Sequence, residues 1–149
     1  MDEIEPAPLT KSALLGTWRM ISWTYEILGT GERRDALGSD PLGWIIYTPE
    51  RVMVLVLKND RKKPAGLMPT PEEKLALYDT MFAYSGTYAV QPDRVIHNID
   101  MSWNEMWTGT EQVRFCKIHG NTLTYTSAPA KNPLDGNEVV HTVTLERSA

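Results

Sequence analysis

The chain has 149 residues, 42% of them hydrophobic and 23% charged, the balance of a single globular domain able to bury about two-thirds of its unfolded surface. Fifteen Lys and Arg against nineteen Asp and Glu leave a net charge of −4, which argues against a nucleic-acid surface, and no apolar run approaches the ~20 residues of a membrane-spanning helix. The lone Cys116 excludes an internal disulfide and a Cys-based metal site; with an acidic, proline-containing start in place of a signal peptide, the expected compartment is the cytoplasm.

In chain order, residues 1–10 read as a disordered arm and 11–149 as one domain. Thr10 caps a helical turn over 11–15 that ends at Gly16. A strand over 17–28 follows. Its Ile21, Trp23, Tyr25, Ile27 face is apolar, and its other face mixes Trp18 and Met20 with Ser22, Thr24 and Glu26, so its lower end is buried on both sides or carries a bulge. Residues 29–40 form a polar loop. Strands over 42–48 and 52–57 flank Pro49-Glu50-Arg51 as a hairpin, and 58–69 is a long loop. Thr70-Pro71-Glu72-Glu73 is a helix start with a capping box and proline in the first turn. It opens a helix to about residue 81, whose Leu75, Tyr78 and Met81 or Phe82 make an apolar face for packing on the sheet or over a barrel end.

Four short strands then follow, over 84–90, 95–103, 110–118 and 122–127, with hairpin-length joins: an antiparallel meander. In the second, Val95, His97, Ile99, Met101 and Trp103 share one face. After a loop over 128–136, a last strand over 139–146 aligns Val139, His141, Val143 and Leu145. About eight antiparallel strands with one real helix in so short a chain most simply close on themselves, into an all-β barrel with room for a small ligand.

His97, a single imidazole on an apolar face, is the first chemical candidate. Inside a cavity it is suited to acid–base work; the alternative is a core histidine bonded to a neighbour. His141 has the same logic nearer a strand start. Arg114 shares a face with Gln112 and Cys116, opposite Val113 and Phe115, and either face can be the inner one. Pointing inward, its guanidinium suits a carboxylate or enolate oxygen; otherwise it pairs with Glu111 or Asp100. Tyr84 and Tyr88 flank Gly86, where glycine leaves space for a ligand or for a close backbone approach. Trp44, Trp103 and Trp107 are core or rim residues, and Trp107, just before Gly109, is placed to gate a barrel mouth. Three scattered histidines make no zinc site, and no hydrolase triad or phosphate loop is present.

Gly16-Thr17-Trp18, after a helical turn and opening the first long strand, resembles the Gly-x-Trp opening of lipocalins. That resemblance implies that Arg147, at the end of the last strand, stacks on Trp18. Further pieces in order are similar to the bacterial and fungal lipocalin-like domain proteins: Leu14-Leu15-Gly16-Thr17-Trp18-Arg19, Ile46-Tyr47-Thr48-Pro49, Tyr84-Ser85-Gly86-Thr87-Tyr88, Val95-Ile96-His97, Trp107 with Gly109, and Gln112-Val113-Arg114. Glu50-Arg51 stands where that family often has glycine. The resemblance implies a lipocalin-like up-and-down barrel with a small-molecule pocket; related barrels in natural-product pathways are cyclases or isomerases. A fainter resemblance, through Leu15-Gly16-Thr17-Trp18-Arg19 and the run from His141 to Arg147, is to nitrobindin-like haem barrels.

The expected function is binding of a small hydrophobic or aromatic molecule in the barrel by Trp23, Tyr25, Tyr47, Tyr84, Tyr88, His97, Trp103, Trp107, Gln112, Arg114 and His141. The alternative is an isomerase or cyclase, with His97 as general acid or base, Arg114 stabilising an oxyanion, and Tyr84 and Tyr88 orienting the substrate. A minor alternative is haem bound through His141. No metal, resident cofactor, nucleic acid or membrane is expected, and a homodimer is left open.

Overall fold

The computed structural model describes residues 7–132 and 136–148. Among them are ten strands: β1 (Gly16–Ile27), β2 (Arg33–Asp35), β3 (Leu42–Tyr47), β4 (Val52–Leu57), β5 (Met81–Gln91), β6 (Arg94–Ser102), β7 (Glu111–His119), β8 (Thr122–Thr126), β9 (Ala130–Lys131) and β10 (Glu138–Arg147). Two α-helices, α1 (Lys11–Leu14) and α2 (Pro71–Asp79), and a 3-10 turn over Glu105–Trp107 complete them. Every pairing is antiparallel, and neighbours run β1-β3-β4-β5-β6-β7-β8-β10. Pairing of β10 along nearly all of β1 then closes an eight-stranded barrel and removes both edges. The short β2 and β9, which the sequence reads as loop, extend β1 and β10 beyond the ring.

Strict alternation makes the wall. In β4, Val52, Val54 and Val56 are buried and Met53 and Leu55 exposed. Two bulges adjust the alternation. In β1 the register shifts between Met20 and Ser22, so Ile21 is the extra residue and Trp18 and Met20 join Trp23, Tyr25 and Ile27 on the inner side. This is the bulge that the mixed face of the strand requires. In β6 the partner of Ser85 is Met101 and that of Gly86 is Ile99, so Asp100 is extra. The flip turns Met101, expected to face inward with His97, to the outside, where it is 59% exposed.

One end is closed as the lipocalin resemblance implies. Thr10 caps α1; the Trp18 indole donates to the Leu14 carbonyl at 2.9 Å. The Arg147 guanidinium lies 4.2 Å from the Trp18 ring centroid and donates to the Ala13 and Leu15 carbonyls. Leu9, within the expected disordered arm, donates its amide to the Pro92 carbonyl; residues 1–6 of that arm lie outside the described residues. The capping box of α2 forms as read, with Thr70 and Glu73 exchanging bonds. Its apolar face is not buried, however: Leu75 is 62% exposed, no residue of α2 is buried, and Tyr78 makes a single ring contact, 6.4 Å between centroids, with Trp103. Arg61 instead tethers the helix by its C-terminal end, donating to the Leu77 carbonyl and Thr80 hydroxyl. Among the described residues no helix is long and apolar enough to cross a membrane.

Candidate functional site

The barrel interior holds two polar groups set in aromatic walls. The deeper one is centred on His97, which is 0% exposed. The β5–β6 register puts it opposite Tyr88, and the β6–β7 register opposite Gln112. Its Nε2 lies 2.7 Å from the Tyr47 hydroxyl and its Nδ1 2.5 Å from the Tyr84 hydroxyl. Tyr47 is bonded in turn to Tyr125. A neutral imidazole has one N–H and one lone pair, so one of these tyrosines donates to His97 and the other accepts from it. Burial, then the nearby Arg114 charge, lowers the His97 pKa to about 3, and burial raises those of Tyr47, Tyr84 and Tyr125. All four groups are therefore neutral around pH 7.

The second group lies nearer the other end of the barrel. The Trp23 indole donates to His141 Nδ1 at 3.0 Å. An indole N–H only donates, so Nδ1 is the bare nitrogen of His141 and Nε2 carries the proton. The Tyr25 ring lies against the same imidazole, 5.6 Å between centroids. Burial and Arg114 together lower the His141 pKa. Trp23, Tyr25, Val139 and His141 line a pocket of about 290 Å³, rimmed by residues including Asp35 and Lys131.

Arg114 links the two groups. Its strand is read unambiguously from its partners: Cys116, two residues on, is buried opposite Tyr125, so the Gln112, Arg114, Cys116 face is the inner one. The Arg114 charge acts on Tyr84, His97, Tyr125 and His141 alike. Neither expected acid partner engages it. Asp100 is held by Arg51 at 2.7 Å, and Arg114 is in no ion pair among the described residues. None of the inward positions on the eight strands is acidic.

Other expected residues fall in different places. Tyr88 packs edge-on against Tyr47, donates to the Thr48 carbonyl and lies under Lys11, at the closed end beside α1. Gly86 makes room for backbone, not ligand: a Cβ there would meet the Asn98 carbonyl oxygen at 1.8 Å. Trp103 and Trp107 both pack on Phe82, at 4.6 and 5.1 Å, and Trp107 stacks on Tyr84. Gln112 donates to Thr110. Trp44, on β3, is 41% exposed on the outer wall. Tyr125 is not among the expected site residues, and Phe82, expected with Met81 on the face of the helix, lies in β5 because α2 ends at Asp79. Tyr125 was legible from the alternation of Leu123 and Tyr125 with threonines along β8.

His141 does not fit haem ligation. Ligation through Nε2 requires that nitrogen to be bare and the proton to sit on Nδ1, where Trp23 already donates. No group of three or more His, Cys, Asp or Glu among the described residues is placed to hold a metal ion.

A closed eight-stranded antiparallel barrel, capped by a helical turn and a Trp–Arg stack and lined by aromatic rings, defines a lipocalin-type protein. The lipocalin-like domain profile matches residues 15–148, and the chain belongs to that family. It is similar to a lipocalin-like protein from Bacteroides uniformis at 10% identity, covering 91% of this chain and 98% of that one with a TM-score of 0.49. No curated protein matches.

Proposed function

We propose that the protein binds a small hydrophobic or aromatic molecule inside the barrel. The observation that carries this reading is the continuous aromatic wall of Trp23, Phe82, Tyr84 and Trp107 beside the His141 pocket. An aromatic wall beside a pocket that presents His141 with Asp35 and Lys131 at its rim suits a ligand held by area and oriented by a few polar contacts. Titration with hydrophobic probes, read on tryptophan emission, tests it. Trp23 and Trp107 sit at the site, so saturable quenching is expected, and its absence for every probe sinks the reading.

The isomerase or cyclase reading draws on the Tyr84–His97–Tyr47–Tyr125 chain, an ordered set of neutral donors and acceptors. An imidazole with a pKa of about 3 is a poor proton reservoir near neutrality. In this reading Arg114 and the tyrosine hydroxyls stabilise charge developing on the substrate, and His97 fixes their orientation. Unchanged turnover of a proven substrate by His97→Gln excludes that part.

The cytoplasm is retained as the compartment, supported by an unpaired, buried Cys116 whose thiol is pushed up to about 12. A homodimer is also part of the proposal. Trp44, Ile46, Met53 and Leu55 face outward on the paired strands β3 and β4, and Met101 faces outward on β6, one strand beyond β5; they are 37–59% exposed, the kind of apolar outer face that marks an interface. Light scattering is expected to give twice the 16.8 kDa chain mass, and Met53→Glu to halve it; a monomer at all concentrations removes the dimer.

A further inference from the structure

We propose that the ligand is an acid, bound as its carboxylate with the anionic group at Arg114 and the apolar body along the Trp23–Phe82–Trp107 wall. The inference rests on the binding function above and adds the chemical class. Four observations carry it. Arg114 is a cation on the inner face of β7, as the register of β7 with β6 and β8 dictates, and, unlike Arg147, it is not stacked into the closed base. It forms no ion pair among the described residues, and Asp100, the acid that could have met it, is bound to Arg51 outside. Its charge acts on Tyr84, His97 and Tyr125 of the deeper cluster and on His141 of the pocket, so it lies within electrostatic reach of both. Lastly, the Trp23 bond forces the His141 proton onto Nε2, and no hydrogen-bond partner for that N–H is found among the described residues.

A partly buried guanidinium among neutral groups is costly unless something compensates its charge. Three neutral phenols and two imidazoles supply oxygens, nitrogens and π faces but no negative charge. A carboxylate supplies it, and its planar pair of oxygens matches the guanidinium fork. A neutral imidazole N–H nearby adds a second donor, oriented by Trp23 as a metal-free analogue of the way an outer partner fixes a ring. The Arg114 charge repels a cationic head group and finds nothing to pair with in an uncharged ester of the same body.

The test compares 1-pyrenebutyrate with its methyl ester, two probes of one apolar body, each titrated by quenching of tryptophan emission at pH 7.5 in 50 mM salt. The carboxylate is expected to bind at least tenfold more tightly than the ester. Arg114→Gln is expected to bring that ratio to within twofold of one. Arg114→Lys, which keeps the charge and loses the fork, is expected to cut the ratio at least threefold while leaving it above one; it decides the matter if the glutamine variant fails to fold. Equal affinities in the unaltered protein, or a ratio that survives both substitutions, overturn the proposal while leaving the binding function standing. Absence of binding by both probes overturns the proposal, and the binding function is then decided by the wider probe titration.

Discussion

Burying His97 without a carboxylate beside it has an energetic signature. Its pKa falls to about 3 in the folded chain, against about 6.5 when unfolded. Between those values the unfolded chain takes up a proton that the folded chain refuses, so stability declines as pH falls from about 6.5 towards 3 and is at its full value above that window. From pH 6.5 to 4.5 this one group withdraws about 2–3 kcal/mol, and His141, shifted in the same direction, adds to it. Asp93, Asp100 and Glu73 are all held below the ordinary carboxylate range and extend the loss at lower pH. Thermal melts at a series of pH values check this: His97→Gln is expected to flatten the decline between pH 6.5 and 4.5, and an unchanged slope contradicts it. The amide of glutamine offers one donor and one acceptor arm, so the tyrosines keep partners.

At the level of single elements, bulges decide what alternation alone cannot. The period-two pattern read from the sequence places His97 and Ile99 correctly and then misplaces Met101, because nothing in Ile99-Asp100-Met101-Ser102 marks the extra residue at Asp100. In β1 the same device was legible, since two apolar faces on one strand have no other resolution. Gly86 stands where the β5–β6 register shifts. With the Asn98 carbonyl at 1.8 Å from a would-be Cβ, Gly86→Ala must push the two strands apart at the point where Tyr84 and His97 meet. A loss of about 1–3 kcal/mol is expected, measured by urea denaturation; a neutral result means β6 gives way freely there. The loop-like reading of β2 and β9 has a different cause: strands of three and two residues carry too few side chains to display a period. The peripheral position of α2 was equally illegible, because an apolar face at helical spacing says what a helix can bury and not whether a partner is within reach.

At the scale of the whole molecule, closure was legible from strand number, spacing and chain length, as was the Trp18–Arg147 stack from the resemblance. The direction in which Arg114 points was not. It follows only from which strand lies on each side of β7, and so from the finished ring. That dependence explains why the aromatic residues of the site are readable one strand at a time, while its electrostatics emerge only when β1, β6, β7 and β10 face one another across the interior. The outward apolar side of β3 and β4 is the converse case: both strands are apolar on both sides, so the sequence predicts strong strands without telling which side water meets.

The base formed by α1, Trp18 and Arg147 also has a directional consequence. A tube stoppered at its foot is no conduit. A ligand bound as proposed must leave by the lip through which it came, tail and head in reversed order, and a newcomer waits until the previous occupant has gone. On that proposal the rate of exchange is set at the rim.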